Sequence, residues 1–143
     1  MISFEELDQV SRARIRDARR LFNSRSYDGA LYICGYSVEI ALKAIVCKAL
    51  GGEIESKSHV PSTSEEFQNI AKLKTHNLEE LLDQVPALIK TDIKSKYFAE
   101  WSTILKWNPG MRYAPIKKAK VREEANETIR SAEKVLRYLW RKL

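Results

Sequence analysis

Residues 27–50 constrain this chain more than any other segment. The run YDGALYICGYSVEIALKAIVCKAL carries four charged side chains, Asp28, Glu39, Lys43 and Lys48, and contains no proline. It stops at Gly51-Gly52, the residue type on which helices commonly end. Wound at 3.6 residues per turn, its apolar side chains cover nearly the whole circumference. A helix of that kind cannot lie on a surface, so it must be the central element of a helical bundle. One stripe interrupts the apolar surface: Asp28, Tyr32, Tyr36, Glu39 and Lys43 fall within about 80° of the wheel. Polar groups there need neighbours, a ligand or a second subunit.

The other segments supply the wrapping helices. Ser3 with Glu6 is a capping box, and Phe4, Leu7, Val10, Ala18, Leu21 and Phe22 recur at helical spacing, predicting a first helix over about 4–23. Arg14 falls in the middle of its apolar face and calls for a carboxylate, with Glu39 the leading candidate and Lys43 the rival for Glu39. Ser26 is placed to cap the central helix. Residues 51–75, rich in Ser, Thr, Gly and Lys, are expected to form a surface loop with one short helix near Glu65 to Leu73. Asn77 and Glu80 cap a third helix that Pro86 interrupts, and helicity resumes from Asp92 to about Lys106. The run Trp107-Asn108-Pro109-Gly110-Met111-Arg112-Tyr113-Ala114-Pro115 is the strongest turn signal. After it comes an amphipathic last helix over about 117–142. The fold class is therefore all-α, a single domain over residues 1–143.

Composition excludes several function classes. Cys34 and Cys47 lie in apolar sequence without nearby His or Cys, which fits buried thiols and no metal site. Met1 to Asp8 has acidic residues where a secretory signal requires a basic patch, and the longest uncharged run, Gly29 to Val38, is about half a bilayer span. The expectation is a soluble, cytoplasmic protein that engages no membrane and carries no cofactor. The net charge of +6 and pI near 9.3 are concentrated in Arg12, Arg14, Arg16, Arg19, Arg20 and Arg25, and again in Arg112, Lys117, Lys118, Lys120 and Arg122. Such runs are either solvated helix faces or the footprint of an anionic partner.

Three segments together resemble the HEPN family (higher eukaryotes and prokaryotes nucleotide-binding). They are Tyr27-Asp28-Gly29-Ala30-Leu31-Tyr32 through Gly35-Tyr36-Ser37-Val38-Glu39-Ile40-Ala41-Leu42-Lys43-Ala44, then His76-Asn77-Leu78-Glu79-Glu80-Leu81-Leu82, then Arg112-Tyr113-Ala114-Pro115. The resemblance spans about Phe4 to Leu143. It implies an up-and-down bundle of four to five helices, a homodimer, and in many members a minimal nucleotidyltransferase partner or a toxin-antitoxin setting. Many members are metal-independent endoribonucleases that carry an Arg followed four to six residues later by His near the start of the last helix. This chain departs there, because His59 and His76 are its only histidines. The departure removes the group that exchanges a proton near neutral pH. His76 as a displaced substitute stands against a plain role as a helix-cap residue bonded to backbone.

The leading expectation is a non-catalytic module that binds nucleotide, RNA or a nucleotidyltransferase. An endoribonuclease with an altered site comes second and a purely structural dimer third. The expected ligand site joins the turn, through Trp107, Arg112 and Tyr113, to the stripe residues Tyr32, Tyr36, Glu39 and Lys43. Flat aromatics stack bases and the guanidinium fork suits phosphate. The competing reading of Trp107 and Tyr113 is that they plug the end of the core. Tyr138 and Trp140, off the core stripe of the last helix, add a second reason to expect a dimer.

Overall fold

A computed structural model describes residues 3–50, 73–113 and 121–143, with the side chains of Arg112 and Tyr113 outside the description. The expected loop at 51–75 therefore lies almost wholly outside the described residues, as does the start expected for the last helix. The described residues form six α-helices and one 3-10 turn, with no strand among them. In chain order they are α1 (Phe4–Asn23), α2 (Tyr27–Ala49), α3 (Leu78–Leu82), α4 (Ala87–Ser95), α5 (Phe98–Ile104), the 3-10 turn (Pro109–Tyr113) and α6 (Val121–Trp140).

α1 opens on the capping box that Ser3 and Glu6 predict: Glu6 N–H donates to Ser3 Oγ at 3.2 Å and Ser3 N–H to Glu6 Oε2 at 2.8 Å. It closes through two backbone bonds, Ser26 N–H to Leu21 O and Arg25 N–H to Phe22 O, with Arg25 at φ 65°. That pattern is a Schellman ending. It also explains why Ser26 makes no side-chain cap on α2: held at ψ 68° by the closure of α1, it lacks the extended backbone with which Ser3, at ψ 165°, aims its hydroxyl. The three-residue link folds α1 back along α2, and Ser11 Oγ donates to Ser37 O across the pair at 2.9 Å.

α2 is the buried centre. Ala30, Cys34, Val38, Ala41, Leu42, Ala44 and Cys47 have essentially no solvent contact. By length and composition alone this helix is apolar enough to cross a membrane, yet 67% of the relevant window is buried inside the bundle, as a core helix requires. Burial pushes the Cys34 thiol up to about 12, so it is a core side chain and no nucleophile.

α6 packs against α1, α2 and α5 with Ala125, Ile129, Ala132, Val135, Leu136 and Leu139 turned inward. Two side chains expected on its outside are instead used within the fold. Tyr138 is buried and donates to Asp92 Oδ2 at 2.6 Å, while Trp140 donates to Ser11 Oγ at 3.3 Å beneath the Arg12 guanidinium. They supply no argument for a dimer. Among the described residues the exposed large apolar side chains are Leu88 (68%) and Phe98 (65%), with Leu50 and Leu105 less so.

The arginine run of α1 is likewise largely committed. Arg12 bonds Asp8 at 2.9 Å, Arg19 bonds Glu133 of α6 through Nε at 3.1 Å, and Arg20 lies 3.7 Å from Asp17. Arg14 does not reach Glu39. Its Nη1 lies 3.5 Å from Asp17 and its side chain is 42% exposed, since the nearest acid is one turn away on its own helix and Glu39 is claimed elsewhere. Its Nε is nevertheless buried without a partner.

Candidate functional site

The polar stripe of α2 converges with two segments distant in sequence. Between residues 35 and 39 the helix turns Gly35, Tyr36 and Glu39 toward the approach of α3 and the stretch after α5. Trp107 lies directly on Gly35: a Cβ there would stand 2.0 Å from two atoms of the indole. Glycine in mid-helix costs about 1 kcal/mol of helix propensity relative to alanine, and here it admits a ring against backbone. Trp107 Nε1 donates to Tyr32 O at 3.0 Å, and the Tyr36 ring meets the indole edge-on at 5.0 Å. With 4% exposure, Trp107 has the burial of a core plug and offers no open face for a stacked base. Tyr36 also meets Tyr32, their hydroxyls 3.3 Å apart.

Below this aromatic group sits Glu39, a carboxylate only 3% exposed. A charge so buried demands compensation. Two groups provide it on one oxygen: Lys43 Nζ at 2.8 Å, one helical turn on, and His76 Nδ1 at 3.0 Å from the segment leading into α3. The other oxygen, Oε2, is buried with no hydrogen-bond partner. Leaving such an acceptor unmade costs about 1–3 kcal/mol, a burden that proteins carry at functional sites more than elsewhere. His76 is thus held by side chain 39 and is no backbone cap. The cap of α3 belongs to Asn77, whose Oδ1 accepts from Glu80 N–H at 3.1 Å.

His76 and Trp107 lie along one cleft of about 510 Å³, whose other walls are Asn77, Leu78, Glu79, Leu105, Asn108 and Pro109. The volume suits one nucleotide-sized ligand. Of the expected site residues, Tyr32, Tyr36, Glu39, Lys43 and Trp107 thus form one connected cluster. The backbone of Arg112 and Tyr113 continues from Pro109 in the 3-10 turn, which packs against α2. A second, smaller hollow of about 270 Å³ lies on the other side of Trp107, between Leu31, Lys106, Met111, Glu124 and Glu127. No group of three or more metal-ligating side chains occurs among the described residues.

The model of the HEPN domain matches residues 4–143. This chain belongs to the HEPN family. Comparison with curated proteins and with solved structures gives no match. As a HEPN domain it has the family's all-helical bundle; of its two histidines His76 stands at the entrance to α3, His59 lies outside the described residues, and neither is in α6. Sequence reading missed the Glu39–His76 pair because 37 residues separate the partners. The available signal was Glu39 itself, an acid inside an apolar helix.

Proposed function

We propose that this HEPN domain is a non-catalytic, cytoplasmic module that binds a nucleotide or single-stranded RNA in the cleft between His76 and Pro109. The observation that supports it most is the cleft itself, a nucleotide-sized hollow lined by His76, which buried Glu39 holds, and continuous with the turn that carries Arg112. The non-catalytic reading rests on α6, where no histidine stands to exchange a proton with a substrate. Arg112 supplies the phosphate contact in this reading.

The test is binding of ribonucleoside monophosphates and a short oligoribonucleotide to the wild type and to Arg112→Ala between about 50 and 200 mM salt. Wild type binds, the variant binds more weakly, and the difference shrinks as salt rises, while the melting temperature stays unchanged. Absence of binding by the wild type, or unfolding of the variant, contradicts the proposal.

The domain is further proposed to act as a homodimer, with Leu88 and Phe98 as the exposed apolar side chains open to cover. Sedimentation equilibrium at micromolar concentration then gives twice the 16.5 kDa of one chain. A 16.5 kDa species contradicts it. A minimal nucleotidyltransferase is the protein partner proposed by resemblance.

A further inference from the structure

We infer that His76, oriented by Glu39, reads the 2′-hydroxyl of a ribose in this cleft, so that the site prefers ribonucleotide over deoxyribonucleotide units. The inference rests on the binding function proposed above and adds which part of the ligand the cleft recognises.

A carboxylate only accepts hydrogen bonds, so the 3.0 Å contact between His76 Nδ1 and Glu39 Oε1 places a proton on Nδ1. Glu39 fixes the tautomer as second-shell carboxylates do for metal-bound and catalytic histidines. Lys43 Nζ, 2.8 Å from the same oxygen, gives the buried carboxylate a cation partner on its own helix. In the neutral ring Nε2 is then an acceptor. It makes no hydrogen bond to the described residues, and the ring, 56% exposed, lines the cleft.

The rest of the lining points the same way. Its one acidic side chain is Glu79, a further acceptor, whose oxygens lie 3.0 Å from Trp101 Nε1 and 3.6 Å from Lys94 Nζ. Asn77 Oδ1 is spent on the cap of α3, and neither Lys nor Arg lines the cleft. Such a hollow offers phosphate no cation and offers hydrogen-bond donors the acceptors of His76 and Glu79. In a nucleotide the phosphate carries acceptors only, whereas the sugar hydroxyls donate whatever the base. The 2′-hydroxyl is the one that separates RNA from DNA. The sugar therefore enters the cleft and the phosphate stays outside, toward the turn of Arg112.

The experiment compares AMP with 2′-deoxy-AMP, and a short oligoribonucleotide with its 2′-deoxy and 2′-O-methyl counterparts, on wild type and His76→Phe. The exposed ring position lets this variant keep the fold, which its melting curve verifies. Wild type favours the ribose form by about three- to tenfold, the worth of one hydrogen bond. His76→Phe loses the preference, its ratio of ribose to deoxyribose affinity falling to about one. Preference in the monophosphates assigns the site to free nucleotide, and preference in the oligomers alone assigns it to RNA; each supports hydroxyl reading. Nitrogen-15 shifts of the free protein place the proton of His76 on Nδ1. Equal binding of ribose and deoxyribose forms by wild type overturns the inference and leaves the binding function standing. A preference unchanged in His76→Phe, or a proton on Nε2, overturns it too, and absence of all binding overturns both.

Discussion

At the scale of single residues, Gly35 and Glu39 determine what the site is. Gly35→Ala sets two effects against each other: helix propensity favours alanine by about 1 kcal/mol, and overpacking costs about 1–3 kcal/mol. A Cβ 2.0 Å from a ring pinned by its own hydrogen bond to Tyr32 cannot be absorbed by a rotamer change, so overpacking wins. Urea denaturation should show the variant destabilised by up to about 2 kcal/mol. A variant more stable than wild type would mean that the indole does not sit on the helix. Glu39 is legible as an acid that needs a partner; the leading candidate, Arg14, does not reach it, whereas the rival Lys43 does, at 2.8 Å, and is joined by His76. Wheel positions locate a residue on its own helix and leave open which of several neighbours reaches it. Arg14, whose mid-face position called for a distant carboxylate, turned to Asp17 three residues away because its long stem carries the guanidinium out to the surface.

Among elements, the helices and their stops were readable because each rests on local chemistry. The Ser3 and Asn77 caps, the break at Pro86 and the tight turn after Trp107 all depend on residues adjacent in sequence. Segment 92–106 differs, being two helices, α4 and α5, interrupted near Tyr97. The interruption has no Pro or Gly to announce it. It lies where Tyr97 and Tyr138 pack, with ring centroids 5.0 Å apart, and where Asp92 takes the Tyr138 hydroxyl. That bond, and beyond it Lys96, holds the Asp92 carboxyl below its ordinary 3.8, and Lys90 and Lys134 do the same for Asp83 and Glu100. A carboxyl depressed in the folded state adds stability above its unfolded value and loses it as pH falls through the folded one. The urea midpoint should therefore be level near neutrality and fall below about pH 4. Tyr138→Phe should lower it at pH 7 and flatten part of the acid limb. An acid limb identical in wild type and variant would show that this bond does not join α4 to α6.

For the molecule as a whole, the bundle exists to bury α2, and the site exists because that burial is incomplete along one stripe. Composition and periodicity reveal the stripe. They cannot reveal that the approach to α3 and the stretch after α5 close over it, since that meeting is decided by tertiary packing. The basic run of α1 is partly engaged, Arg12 by Asp8 and Arg19 by Glu133, while Arg16 and Arg20 stay exposed; the run from Arg112 to Arg122 lies mostly outside the described residues. The proposed ligand, a ribonucleotide unit, would occupy the cleft between His76 and Pro109. The most direct measurement is a two-dimensional proton–nitrogen NMR titration of the nitrogen-15-labelled domain with a short oligoribonucleotide. Saturable shifts are expected at the amides of His76, Asn77 and Asn108 and at the indole N–H of Trp107, with α1 unmoved. Shifts confined to the arginines of α1, or none at all at saturating ligand, would contradict it.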